Sequence, residues 1–161
     1  MKHLEFAIEM ELEGQRYYLE QAEIFQDSEL KTIFLILADA EKEHAALLLR
    51  RKNEEPVILK EESILPGMKS IFRELPRFKE DEIKAAKQLD VYRFAALQEE
   101  KSIDLYQGML EEVTDPRDKE LFAFLVKEEK EHLILFEELV TMLTRPEEWV
   151  ESAEFGIREE Y

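Results

Sequence analysis

The stretch that decides the reading is Glu41-Lys42-Glu43-His44, because the same four residues return intact as Glu129-Lys130-Glu131-His132. The two strings are 88 residues apart, and that shift aligns residues 6–50 with 94–138 without a gap. Phe6 then meets Phe94, Ala7 meets Ala95, Glu11 meets Glu99 and Tyr18 meets Tyr106. Further along, Asp27 meets Asp115, Phe34 meets Phe122 and Leu37 meets Leu125. An internal repeat of this length marks a duplicated supersecondary unit. Preserved packing alone would not keep a polar string as the longest identical stretch.

Each repeat reads as a helical hairpin. Leu4, Ala7, Glu11, Gly14, Tyr18, Ala22 and Phe25 recur at spacings of three and four, which puts them on one helix face. Leu30, Phe34, Leu37, Glu41, His44 and Leu48 form a second face, with Asp27 expected to cap it. In the second repeat the faces are Tyr92 to Val113 and Phe122 to Val140. Thr114-Asp115-Pro116 marks the turn between them, with Asp115 as cap and Pro116 at the first helical position. The expected fold is therefore all-α: one domain over 1–161, a four-helix bundle of two hairpins (2–52 and 90–144). A long crossover, 53–89, joins them, with helical pieces around Met68–Arg73 and Asp81–Lys87. The tail, 145–161, carries Trp149, Phe155 and Tyr161 and is expected to form a short docked helix or a subunit contact.

Composition narrows the function. The chain has 161 residues and a net charge of −17, which argues against nucleic acid or anionic membrane surfaces as partners and favours cations. It has no cysteine, which excludes disulfides and Cys-ligated zinc or iron–sulfur centres. The amino terminus lacks a signal-peptide pattern, and no apolar run approaches the roughly 20 residues needed to span a bilayer. A cytoplasmic location is the expectation.

Glu11, Glu41, His44, Glu99, Glu129 and His132 interrupt otherwise apolar faces. A buried carboxylate is costly unless it is paired or bound to metal. In an antiparallel hairpin, residues equidistant from the turn lie level. Glu11 and Glu41 flank the first turn equally, and Glu99 and Glu129 flank the second, each roughly 22 Å away at 1.5 Å per residue. Positions i and i+3 share a face, so each Glu-x-x-His can serve one metal. Four carboxylates balance two divalent ions. One Glu from each of two helices plus Glu-x-x-His from each of the other two is the ligand set of dinuclear sites in helical bundles. Mixed carboxylate and imidazole ligation suits iron, with manganese as the alternative. His3, near the terminus, is read as a non-ligand. Tyr18 and Tyr106 lie seven residues after their Glu. They are either core tyrosines in need of a polar partner, or groups that orient a ligand carboxylate or carry an electron. Gly14 and Ser102 are small and leave room for metal, oxygen ligands or a facing side chain.

These strings, Glu11-x-x-Gly14-x-x-x-Tyr18 with Glu41-x-x-His44 and Glu99-x-x-Ser102-x-x-x-Tyr106 with Glu129-x-x-His132, resemble the ferritin-like superfamily and, within it, rubrerythrin-like proteins. The resemblance covers residues 1–52 and 90–144. It implies a non-haem di-iron oxidoreductase that reacts with hydrogen peroxide or dioxygen, assembled as a homodimer or larger. Rubrerythrins proper add a rubredoxin-like Cys₄ domain. Without cysteine, electrons would come from a separate donor such as a rubredoxin-like protein, or from ferrous iron. Those proteins also carry an extra glutamate where this chain has Ser102, so the set here is more symmetrical, similar to bacterioferritin, manganese catalase and the ribonucleotide reductase small subunit. Two alternatives accompany this expectation: a ferroxidase or iron-storage protein, and a manganese catalase-like site.

Overall fold

The computed structural model describes residues 2–75 and 82–159, with side chains for residues 3–68, 70–72, 75 and 86–144. Five helices follow one another: α1 Lys2–Ile24, α2 Leu30–Lys52, α3 Leu65–Glu74, α4 Glu82–Glu112 and α5 Pro116–Glu159. No strand occurs among the described residues. The long helices pair as expected from the repeat: α1 packs along α2, and α4 along α5.

Local chemistry explains where the helices begin and end. At the second turn Asp115 accepts the Arg117 backbone N–H at 2.9 Å, with Pro116 opening α5. At the first turn the expected cap is not used. The residue before α2 is Glu29, and Ser28 Oγ accepts the Leu30 N–H at 3.1 Å instead of Asp27. The loop runs two residues further than the Asp27–Asp115 correspondence implies. The last turn of α2 carries Arg50, Arg51 and Lys52, which favour the negative end of a helix dipole. It closes with Glu54 N–H on Arg51 O and Glu55 N–H on Arg50 O, at 3.2 and 2.8 Å. Glu54 takes the left-handed conformation usual for glycine there (φ 57°).

Two expected boundaries shift. The helical piece around Asp81–Lys87 is not separate; from Glu82 it is the first turn of α4, because no breaker stands between it and Tyr92. Asp81 lies outside the described residues. The tail does not begin a new helix: α5 runs on through Pro146 to Glu159. A proline removes one backbone donor, and here the helix continues past that loss. The expected docking of Trp149, Phe155 and Tyr161 falls outside the described side chains.

Two apolar clusters fill the bundle. One joins Tyr18, Ala22, Phe34 and Leu37, near the first turn, to Tyr92, Phe136 and Leu139 at the open end of the second hairpin. The other joins Leu4, Ala7 and Leu48 to Tyr106, Met109, Phe122 and Leu125 near the second turn. The hairpins therefore lie head to tail. Met68 and Phe72 of α3 are buried in the first cluster. At the other end, Arg51 reaches from α2 to Asp115 and Asp118 beside the second turn, 3.1 and 2.5 Å away. Between the clusters lies a buried layer of acids and imidazoles.

Candidate metal centre

Head-to-tail packing brings the midpoints of all four long helices to one level. Glu11, Glu41, His44, Glu99, Glu129 and His132 are all buried there. Their donor atoms form two overlapping groups: Glu11, Glu41, His44 and Glu129, then Glu41, Glu99, Glu129 and His132, each within 4.8 Å across. Glu41 and Glu129 belong to both groups. From the sequence, each Glu-x-x-His can serve one metal; in the structure the two Glu-x-x-His acids face both groups, while Glu11 and Glu99 each face one. The His44 and His132 rings stack at 5.7 Å, 16° from parallel. His3 stands apart, exposed, 4.0 Å from Glu112.

The donors aim inward. His44 Nδ1 lies 3.0 Å from Glu129 Oε1 and 3.4 Å from Glu11 Oε2. His132 Nδ1 lies 3.1 Å from Glu41 Oε1 and 3.4 Å from both Glu99 Oε1 and Glu129 Oε2. Yet Glu11 Oε2, Glu41 Oε1, Glu129 Oε2 and His132 Nδ1 are buried with no partner at hydrogen-bonding geometry. Buried polar atoms of native proteins are rarely left so. Four such atoms turned on one centre fit a pair of cations, and the O/N donor set fits iron or manganese.

Electrostatics within the layer divide the acids into two kinds. Burial, then the neighbouring carboxylates, pushes Glu41 and Glu129 well above the ordinary 4.5, which favours their protonated forms. Burial pushes Glu11 and Glu99 up too, but the His44 and His132 charges and the hydrogen bonds they accept outweigh it. Glu11 falls to about 2, and Glu99 also lies below 4.5. Burial lowers both histidines, while Glu11 beside His44 and Glu99 beside His132 raise them further, well above 6.5. Two carboxylates, two carboxylic acids and two imidazoliums sum to zero. Four carboxylates, two neutral imidazoles and two divalent ions also sum to zero. The layer is neutral with protons or with metals.

Tyr18 donates its hydroxyl hydrogen to Glu99, and Tyr106 donates to Glu11. Each tyrosine thus serves the acid of the other hairpin, which sequence spacing does not show. Burial, then the nearby carboxylates, raises both phenols well above 10, keeping them donors. Gly14 makes room for a facing side chain: a Cβ there would meet Glu41 Oε2 at 3.1 Å. Ser102, its repeat equivalent, bonds back to the Gln98 carbonyl at 3.1 Å and touches Met10 Sδ at 3.7 Å. One neighbour goes unread in the sequence. Glu128 Oε1 stands 3.8 Å from His44 Nε2, the nitrogen facing away from the centre. Its repeat equivalent is Ala40, so the comparison that exposes the ligand set hides this asymmetry.

No curated protein and no solved structure matches the chain. A family model does: the one described as Rubrerythrin matches residues 2–140. That span takes in the first hairpin, the crossover, the second hairpin up to residue 140 and all six buried donors, on an all-α ferritin-like bundle. The chain belongs to the rubrerythrin family.

Proposed function

We propose that Glu11, Glu41, His44, Glu99, Glu129 and His132 hold two iron ions, and that the protein reduces hydrogen peroxide, or dioxygen, with electrons from a separate donor. Family membership implies a di-iron carboxylate protein in general. The observation that carries the finer reading is the pair of overlapping donor groups sharing Glu41 and Glu129, the arrangement of two metals with bridging carboxylates. When bound, a di-ferrous pair supplies one electron per ion, and hydrogen peroxide with two electrons and two protons gives two waters.

The chain's own residues set the conditions. The two apolar clusters above and below the layer shield it at both ends and strengthen the charge interactions inside it. Tyr18 and Tyr106 fix the orientation of Glu99 and Glu11. Glu128 beside His44 Nε2 holds that ring with Nδ1 inward. Burial and the neighbouring carboxylates favour the protonated forms of Glu41 and Glu129 in the metal-free centre, which lessens repulsion among the four acids.

Anaerobic iron loading followed by stopped-flow mixing with peroxide and with oxygen in parallel tests this. Two irons per chain and rapid oxidation by peroxide are expected; a di-ferrous centre inert to both oxidants refutes it. The net charge of −17 favours a second reading, an iron-handling ferroxidase or storage protein, since an acidic surface steers cations. Uptake of many irons per chain in a cage-sized particle would support it, whereas a dimer holding two per chain supports the first. The same donors suit manganese, and metal analysis of natively produced protein separates a manganese catalase-like site. A homodimer is the proposed assembly, checked by sedimentation.

A further inference from the structure

A cavity of about 680 Å³ runs between α1 and α4 and opens to solvent along its length. Its floor includes Glu41 and Glu99, with Gly14 and Ser102 beside them. Met10 meets Ser102, and Tyr17 meets Phe94 with ring centres 5.2 Å apart, so the two helices run antiparallel across it. Phe6 and Leu105, a turn beyond Met10 and Ser102, line the same end. The walls are largely apolar, Glu13, Gln98, Lys101 and Asp104 also line them, and the two buried carboxylates lie between the ends.

Hydrogen peroxide is little larger than water, which occupies about 30 Å³ of liquid. The cavity is more than an order of magnitude larger and falls in the range of organic-ligand sites, about 300–1,000 Å³. Phe6 and Phe94 are repeat equivalents, and both stay aromatic while 62% and 48% exposed. The net charge of −17 disfavours an anionic occupant. A neutral organic molecule meets no such repulsion.

We propose that the groove between α1 and α4 binds the hydrocarbon part of an organic hydroperoxide, with the peroxide group over Glu41 and Glu99. This rests on the peroxide-reducing reading and names its substrate class. The balance is ROOH plus two protons and two electrons giving ROH plus water. The O–O bond breaks, the inner oxygen stays on carbon as a hydroxyl, and the outer one leaves as water. The electrons come from two ferrous ions, one each, later restored by the separate donor.

The test begins with metal-free full-length protein and cumyl alcohol, the redox-inert product of cumene hydroperoxide. Saturable binding is expected, with amide resonance shifts centred on Gly14, Phe94 and Ser102; no shifts there would overturn the proposal. Met10→Trp and Leu105→Trp each fill the groove without touching a donor of the centre. In iron-loaded protein, either should lower the rate with cumene hydroperoxide by about ten-fold or more, leaving the hydrogen peroxide rate unchanged. Equal loss for both oxidants in both variants overturns it, as does a dimer whose interface covers Phe6 and Phe94. Reaction with hydrogen peroxide in a protein that binds no alcohol removes only this inference. Alcohol binding in a protein inert to every peroxide removes the functional reading as well.

Discussion

The hydroxyls of Tyr18 and Tyr106 each reach across the bundle to an acid on the opposite hairpin, Glu99 and Glu11. Replacing either with Phe leaves a buried carboxylate short of a donor, at about 1–3 kcal/mol of metal-free stability. It also frees that carboxylate to turn, which should weaken metal binding by about 10–100-fold. Calorimetric titration of Tyr18→Phe and Tyr106→Phe with ferrous iron checks this, and affinities equal to the parent's would reduce both tyrosines to packing. At this scale the six donors were legible because ionisable residues interrupt apolar faces, a contradiction only ligation or pairing resolves. The crossing of the tyrosines was not, since periodicity assigns a residue to a face and not to a partner on another helix. Glu128 stayed hidden for a different reason: on its own helix it looks like one more solvated acid, and Ala40 offers no counterpart.

Among the helices, α2 ties the centre to the aromatic stack. It contributes Glu41 and His44, and its Phe34 stacks on Tyr18 with ring centres 6.1 Å apart. Phe34→Ala should cost about 3–5 kcal/mol, or roughly 2–4 °C of melting temperature for each kcal/mol. It should also loosen Tyr18, so iron affinity falls together with stability. Ile58→Ala, 75% exposed, is the control and should stay within about 0.5 kcal/mol. Thermal unfolding with and without iron reads both. A Phe34→Ala protein with lower stability but unchanged affinity would break the link between the aromatic stack and the site. The pairing of helices was readable from the 88-residue repeat, and Asp115-Pro116 declared its turn. The close of α2 was not readable, because Glu54 occupies a conformation that glycine normally announces. Nor was the continuity of α5, since Pro146 is the usual mark of an end.

At the scale of the whole molecule, metal binding and proton binding compete. The shifts of Glu41, Glu129, His44 and His132 all favour their protonated forms in the metal-free protein. Loading two divalent ions should release about four protons, two from carboxyls and two from imidazoliums. Titration in buffers of differing ionisation enthalpy counts them; a count near zero would mean the acids are not the proton carriers. The same groups set the pH dependence of folding. Their folded values exceed the unfolded ones, 4.5 for Glu and 6.5 for His, so the folded state binds more protons. Stability of the metal-free protein should therefore fall as pH rises above 4.5, and further above 6.5. Glu11 and Glu99 act oppositely, and their contribution is lost as pH drops below 4.5. Metal-bound protein should reverse the alkaline trend, because deprotonated ligands hold cations better; melting curves at about pH 5 and pH 8 compare the two. Head-to-tail docking has one more consequence. Each hairpin brings two acids, one imidazole and one tyrosine, and the tyrosine is useful only to the other half. Half the chain therefore already encodes a whole centre, provided it meets its own likeness. A peptide of residues 2–52 that pairs with itself would rebuild the constellation with true twofold symmetry, with Gly14 in both halves and no Glu128. The full chain then stands as such a pair joined by residues 53–81, and the join lets its two halves differ.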